Sequence, residues 1–196
     1  MSTTTFKNQA LESLKGKWGN AAIAALIYFF IAGGISGTSS FTFGIPSILI
    51  SIPMAWGFYI YFLRIARKEN VDVSSLFDGF KDYGRILLTG LLMSLYELLW
   101  FLLLIIPGII KSYSYAQTYY ILKDNPELRY NGAIERSMKM MDGHKMDLFL
   151  LDLSFIGWYL LCVLTLGLGL LLVIPYHYTA RAHFYEMLKQ AESAAE

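Results

Sequence analysis

The stretch IIPGIIKSYSYAQTYYILKDNP, Ile105 to Pro126, decides the fold. It begins as apolar as a bilayer interior, breaks at Pro107-Gly108, and turns aromatic and polar without taking on the charge of a soluble loop. Proline removes one helical donor and clashes with the preceding turn, so it marks a kink or a helix start. The same break closes a long apolar run at Ile52-Pro53 and at Ile174-Pro175. Each break leads into an aromatic-rich continuation: MAWGFYIYFLRIA, GIIKSYSYAQTYYIL and YHYTARAHFYEML, with Tyr61, Tyr115 and His183 each eight residues past the proline. Pro53, Pro107 and Pro175 are therefore read as helix breaks that organise the whole chain.

Composition agrees with a bilayer setting. Of 196 residues, 56% are hydrophobic, 16% aromatic and only 16% charged, with a mean hydropathy of +0.46, which is too apolar for an ordinary soluble domain. A net charge of +1 gives no case for nucleic acid. The one cysteine, Cys162, offers neither an internal disulfide nor a zinc spacing. The apolar stretch Ala21 to Ile35 is not read as a secretion signal, because Thr5 to Lys15 ahead of it is patterned, with Phe6, Ala10, Leu11 and Leu14 on one helical face.

Helices of about 20 residues cross a hydrocarbon core of about 30 Å. Cutting the chain at its polar segments gives six candidate spans: Trp18 to Ile35, Ile45 to Ile65, Arg85 to Ile106, Gly108 to Leu122, Asp147 to Leu166 and Leu168 to Leu188. The first pair is joined by the uncharged segment Ser36 to Gly44, the last by a break at Thr165 to Gly169. The expectation is an all-α, polytopic membrane protein of about six transmembrane helices in three hairpins, each preceded by a short amphipathic interfacial helix. It forms a single integral membrane domain over 1–196, with degenerate repeats near 5–68, 74–123 and 126–189. Each repeat begins with an amphipathic segment ending in glycine and then a basic or histidine residue: Gly16-Lys17, Gly84-Arg85 and Gly143-His144.

The connectors carry local start signals. Ser75 and Asp78 are spaced as a capping box, Asn125-Pro126-Glu127 reads as a helix start, and apolar stripes follow each. Their apolar sides are expected to face down on the inner membrane surface. Of the 16 basic residues, only Lys111 falls near a hairpin tip. The positive-inside rule therefore places both termini and both charged connectors in the cytoplasm, and the chain in a multi-pass setting in the cytoplasmic (inner) membrane.

Ionisable groups at bilayer depth cost at least about 2.5 kcal/mol on insertion scales, so they face the bundle and take partners. Asp152 and Arg181 stand at similar distances from a turn at Gly167, which predicts an ion pair, and His177 and Arg181 are four apart and adjacent. Glu97 and Gln117 lie ten residues either side of Pro107, and Tyr113, Gln117 and Tyr120 share a helical face, which makes a Glu97 network natural. For each pair a packing staple is the plainer use and a coupling site the sharper one. His177 and His183 fall on different faces, so no metal site is expected, and no cofactor motif or catalytic residue is found. Gly33 and Gly37 have the spacing of a close helix contact.

The second half of the chain carries a family resemblance. IIPGI, SYSYA, DNP, GHK, LSFIGW, LTLG and PYHYTARAHFYE, within Leu99 to Leu188, closely resemble the integral membrane family catalogued as domain of unknown function 975, and the likeness extends more loosely over Trp18 to Ile65. A more distant likeness is to the membrane domain attached to some glycerophosphodiester phosphodiesterases, through the IPG break and the connector Ala133 to Ser137; the catalytic barrel of those enzymes is absent. The resemblance implies a bacterial cytoplasmic-membrane protein and transfers no functional residue.

Two functions follow. One is a non-enzymatic, lipid-interacting or accessory component of the cell envelope, whose partner is the bilayer, with another membrane protein or a homo-oligomer left open. The alternative is a small-molecule or ion transporter or channel with a polar site around Glu97, Asp152 and Arg181. A transporter should line a cavity with those groups; an accessory protein should bury them dry and paired.

Overall fold

The exposed apolar stretch that accompanies each proline gives way to buried chain at Ile52, at Ser114 and at Val173. The computed structural model describes residues 2–36 and 44–195, so most of the expected linker at Ser36 to Gly44, and the Gly33–Gly37 contact, lie outside the described residues. The chain is all-helical, with no strand among the described residues: α1 (Thr3–Leu14), α2 (Trp18–Ser36), α3 (Gly44–Ala66), a 3-10 segment η1 (Val73–Phe80), α4 (Tyr83–Leu103), α5 (Ile105–Tyr115), α6 (Thr118–Asp124), α7 (Asn131–Met140), α8 (Lys145–Leu153), α9 (Ile156–Leu164) and α10 (Leu170–Ala195).

Three stretches are long and apolar enough to cross a membrane: Ser47–Ala66, Tyr83–Leu103 and Lys145–Leu164. The other expected spans fall outside this set for visible reasons. Trp18–Ala32 is apolar but shorter, residues 105–124 are split between α5 and α6, and α10 carries His177, Arg181, His183 and Glu186.

The change from exposed to buried chain falls beside Pro53 and Pro175, whereas past Pro107 Ile109 and Ile110 stay exposed and burial starts at Ser114. Ile48 to Ser51 are exposed, whereas the core begins at Ile52 and runs through Ile65. Thr118 to Leu122 of α6 and Val173 to His177 of α10 are likewise buried. The aromatic continuations of the three prolines thus pack together. Tyr59 of α3 meets Tyr120 of α6 at 5.6 Å between ring centroids, Tyr120 stacks on Tyr185 of α10 at 5.1 Å, and Phe58 meets Tyr178 edge-on at 4.9 Å. Such pairs contribute about 0.5–1.5 kcal/mol each beyond area burial. Ahead of those buried segments the apolar residues face outward, most of all at the two chain reversals, where Ile106 is 72% and Leu166 96% exposed.

The prolines differ in what they disturb. Pro107 stands in the first turn of α5, where a missing N–H costs nothing, after Leu104 breaks α4 with an extended backbone. Pro53 lies inside α3 and leaves the Leu49 carbonyl without its helical donor; the Tyr83 hydroxyl donates to that oxygen at 3.3 Å.

Two of the three connector helices are packed differently from the expectation, whereas Phe77, Phe80 and Tyr83 of the middle stripe stay on the surface. The apolar faces of α1 and α7 are buried in the bundle, not laid on lipid: Phe6 meets Phe184 of α10 at 5.4 Å, and Ala133, Ile134 and Ser137 of α7 are covered. The Ser75–Asp78 capping box does not form, because η1 starts earlier, with Asp72 as its cap, and Asp78 pairs with Arg64 at 2.8 Å and Lys81 at 2.7 Å. Asn125-Pro126-Glu127 makes a turn, and α7 begins only at Asn131. Of the three corner glycines, Gly16 (φ 74°) and Gly143 (φ 77°) use the left-handed region that ends a helix, whereas Gly84 sits inside α4.

Tyr130, just ahead of α7, has φ 49° and ψ −116° and stands at the first corner of a turn closed by the Gly132 N–H on the Arg129 carbonyl at 3.0 Å. Glycine takes that conformation freely, whereas a tyrosine held there costs about 1–3 kcal/mol. Tyr130→Gly is expected to raise Tm by a few degrees, since the relief exceeds the roughly 0.4–1 kcal/mol of added unfolded-chain freedom. Tyr130→Ala, which loses the same half-exposed ring but keeps the strain, is expected not to raise it.

Candidate intramembrane polar site

The site is built where α8 and α9 meet over α10. α8 ends at Leu153, and the step to α9 at Ser154-Phe155 is held by α1, whose Lys7 Nζ donates to the Ser154 carbonyl at 2.8 Å and lies 4.7 Å above the Phe155 ring. That break aims Asp152 at α10. His177 Nε2 lies 2.7 Å from Asp152 Oδ1, and Arg181 Nε lies 3.4 Å from the same oxygen. The Tyr113 hydroxyl of α5 donates to Oδ2 at 3.1 Å. On the far side of the imidazole the Tyr159 hydroxyl stands 2.8 Å from His177 Nδ1, so with the proton on Nε2 the ring donates to Asp152 and accepts from Tyr159. Phe155 stacks on the imidazole at 4.5 Å. Asp152 is thus occupied on both oxygens, by residues from two other helices.

Arg181 is less satisfied than its partner. A guanidinium offers five N–H donors in a planar fork, yet among the described residues only its Nε has a partner. The rest borders a cleft of about 250 Å³ that is also lined by Tyr59, Glu97, Ser112, Tyr113 and Tyr119.

Glu97 and Gln117 are not brought together. The helix breaks between α5 and α6 at Ala116-Gln117, and the break turns Gln117 toward α7 instead of α4. The Gln117 backbone N–H donates to Ser137 Oγ at 3.2 Å, Ser137 Oγ donates to the Ser114 carbonyl at 2.8 Å, and Gln117 Nε2 points at Met141 Sδ, 3.4 Å away. A serine from α7 thereby replaces a helical bond, which the spacing about Pro107 could not reveal. Glu97 is left on the cleft with no hydrogen bond or ion pair among the described residues. Lys111, the basic residue near a tip, lies 4.9 Å above the Trp100 ring.

A second charged cluster, not anticipated from the sequence, ties the ends of the three aromatic segments outside the apolar spans. Asp124, at the end of α6, accepts a two-pronged bond from Arg67 just past α3 (2.8 and 2.6 Å), one from the Tyr185 hydroxyl (3.0 Å) and one from Lys189 Nζ (2.6 Å). Arg67 Nε also reaches Glu186 at 2.8 Å. Arg67 and Lys189 both stand fourteen residues past their prolines, a correspondence visible in the sequence once Pro53 and Pro175 are aligned. Beside it, Arg85 spreads over the carbonyls of Leu122, Asn125 and Leu128 at 3.1–3.3 Å and so closes the C-terminal end of α6.

The fold and site define a helical protein with three helices long and apolar enough to cross a membrane, holding an arginine fork on a cleft. The family model described as protein of unknown function, DUF975, matches residues 1–114 and residues 99–192, and the chain belongs to that family. No curated protein and no solved structure matches the chain.

Proposed function

We propose that this is a non-enzymatic integral membrane protein that crosses the bilayer six times as three hairpins and binds a lipid or small amphiphile through Arg181. The proposed setting is the bacterial cytoplasmic membrane, with both termini and both charged connectors on the cytoplasmic side, which the clustering of lysine and arginine supports. The lengths support six crossings: residues 105–122 are about 27 Å long and α10 about 39 Å at 1.5 Å per residue. The exposed apolar stretches ahead of the two reversals, Leu98 to Leu103 and Leu160 to Leu164, also call for hydrocarbon around them. A degenerate threefold repeat is supported by α1, η1 and α7 each preceding an apolar helix, and by the burial of Ile52 to Ile65, Thr118 to Leu122 and Val173 to His177. The bilayer is the proposed partner, and a second membrane protein or second copy of the chain is secondary.

Arg181 is the observation that carries the binding. Its charge is paired with Asp152, but among the described residues only its Nε has a partner, and a donor left unpaired in hydrocarbon is costly, so the free side of the fork calls for an acceptor from the cleft. Transport is the second reading, favoured by the presence of both Glu97 and Arg181 on the cleft. Lipid binding is preferred because Glu97 stands on α4 among Leu95, Leu98 and Leu99, all exposed outward, so the cleft borders the lipid-facing side; Asp152, moreover, is paired as an accessory protein requires.

Native mass spectrometry of protein extracted with its surrounding bilayer, without detergent, is expected to show about one lipid-sized mass per chain, lost in Arg181→Gln. A second polypeptide at fixed stoichiometry would shift the assignment to an accessory subunit, and an unchanged bound mass in Arg181→Gln would remove the site from the proposal. Cysteine labelling at positions 106 and 166 from the outer face only is the topology expected; labelling from the cytoplasmic face would overturn the orientation.

A further inference from the structure

Resting on the lipid-binding proposal, we infer that the cleft between α4, α5 and α10 selects a zwitterion, a ligand with an acidic group for Arg181 and a primary ammonium for Glu97. The argument is the division of donors and acceptors across the cleft. On one side Arg181 presents N–H groups without partners among the described residues, a fork that can take a phosphate or carboxylate two-pronged. On the other side three groups present acceptors. Ser112 Oγ spends its proton on the Ile109 carbonyl at 2.8 Å, Tyr113 spends its proton on Asp152 at 3.1 Å, and the Glu97 carboxyl has no partner among the described residues.

A purely anionic ligand would satisfy Arg181 and leave Glu97 facing a like charge. A purely cationic one would do the reverse. A ligand bearing both, with N–H donors on its cation, satisfies both ends at once, and Tyr59, Tyr115 and Tyr119 line the same cleft, an aromatic surrounding that suits a cation. A volume of about 250 Å³ suits a phosphoethanolamine-sized group better than a whole lipid, so acyl chains would lie outside among the exposed leucines of α4. A trimethylammonium group has no N–H for Ser112 and Glu97, and a glycerol headgroup has no cation.

The test uses the full chain in nanodiscs holding equal parts phosphatidylethanolamine, phosphatidylglycerol and phosphatidylcholine, then released into mild detergent for native mass spectrometry. The expected result is retention of one phosphatidylethanolamine, enriched about tenfold over each of the others, the factor for one well-made charged contact. Glu97→Gln is expected to abolish the enrichment while an acidic lipid is still retained, and Arg181→Gln to abolish retention. Glu97 has no protein partner to lose, so its variant stays informative even if Arg181→Gln fails to fold. Preferential retention of phosphatidylglycerol by the wild type would leave the lipid-binding proposal standing and overturn the zwitterion. Binding of free O-phosphoethanolamine to lipid-free protein, with no lipid retained, would keep the zwitterion and overturn the lipid source. Equal retention of all three lipids, or enrichment that Glu97→Gln leaves unchanged, overturns the inference, and absence of both kinds of binding overturns both proposals.

Discussion

Gly57→Ala is expected to prevent accumulation of the folded protein, or to lower Tm by more than about 10 °C in detergent, although it adds a single methyl group. α3 and η1 touch backbone to backbone. A Cβ on Gly57 would lie 1.9 Å from the Leu76 carbonyl oxygen and 2.7 Å from its carbon, and one on Gly79 would lie 2.1 Å from the Pro53 carbonyl oxygen. No side-chain rotation relieves a clash with a carbonyl, so η1 must move off the helix. It would carry with it the buried Leu76 and the 2.8 Å ion pair between Asp78 and Arg64. Overpacking a yielding core costs about 1–3 kcal/mol, and a rigid contact belongs at or above the top of that range. At roughly 2–4 °C per kcal/mol for a chain of this size, the shift is large. Gly84→Ala is the control. Gly84 lies in α4 with nothing within 4 Å of an added Cβ, so alanine there is expected to leave Tm unchanged or raise it, by about 1 kcal/mol of helix propensity. A Gly57→Ala protein as stable as the Gly84→Ala protein would mean that η1 does not pack on α3 as described.

What the sequence disclosed, and what it hid, divides along the range of the interactions involved. The proline breaks, the apolar runs before them and the aromatic runs after them are local patterns, and the helix ends at Leu103, Leu164 and Ala66 fall close to where those patterns change. The approach of Asp152 to Arg181 was legible because both count back to one turn at Gly167. His177 as the nearer partner of Asp152, and Tyr113 and Tyr159 as its further neighbours, were not, because they depend on the bend at Ser154-Phe155 and on a helix from another hairpin. Gln117 shows the same limit. Its side chain was assigned to the face of an unbroken helix, and the insertion of Ser137 from α7 broke that helix. The amphipathic stripes of α1 and α7 were correct as stripes, but a stripe does not say whether lipid or protein covers it, and here protein does.

Asp124→Asn is expected to lower Tm by roughly 6–12 °C near neutral pH, the second-largest effect of a single substitution, and to do so less and less as the solution is acidified. The carboxylate gathers Arg67, Tyr185 and Lys189 at the ends of the three aromatic segments. Losing charged hydrogen bonds of about 1.5–3 kcal/mol each, with Arg67 left one acceptor short, amounts to about 3 kcal/mol, which gives that Tm range at roughly 2–4 °C per kcal/mol. Burial by itself opposes ionisation of Asp124, but the bonds from Arg67, Lys189 and Tyr185 and the Arg67 charge outweigh it and hold the carboxyl down at about 2, below its ordinary 3.8. A depressed pKa means the folded state favours the ionised form. The contribution is therefore complete above pH of about 4 and disappears as pH falls through about 2. The difference in Tm between wild type and Asp124→Asn is expected to narrow across that window, whereas Glu186→Gln, which leaves the two-pronged Arg67–Asp124 bond in place, is expected to cost less than half as much near neutrality. Thermal unfolding of the three proteins in one detergent, from pH 7 to pH 2, measures both effects. A gap between wild type and Asp124→Asn that stays constant down to pH 2 would show that the aspartate acts by its shape and not its charge, and the three helix ends would then have to be held by packing alone.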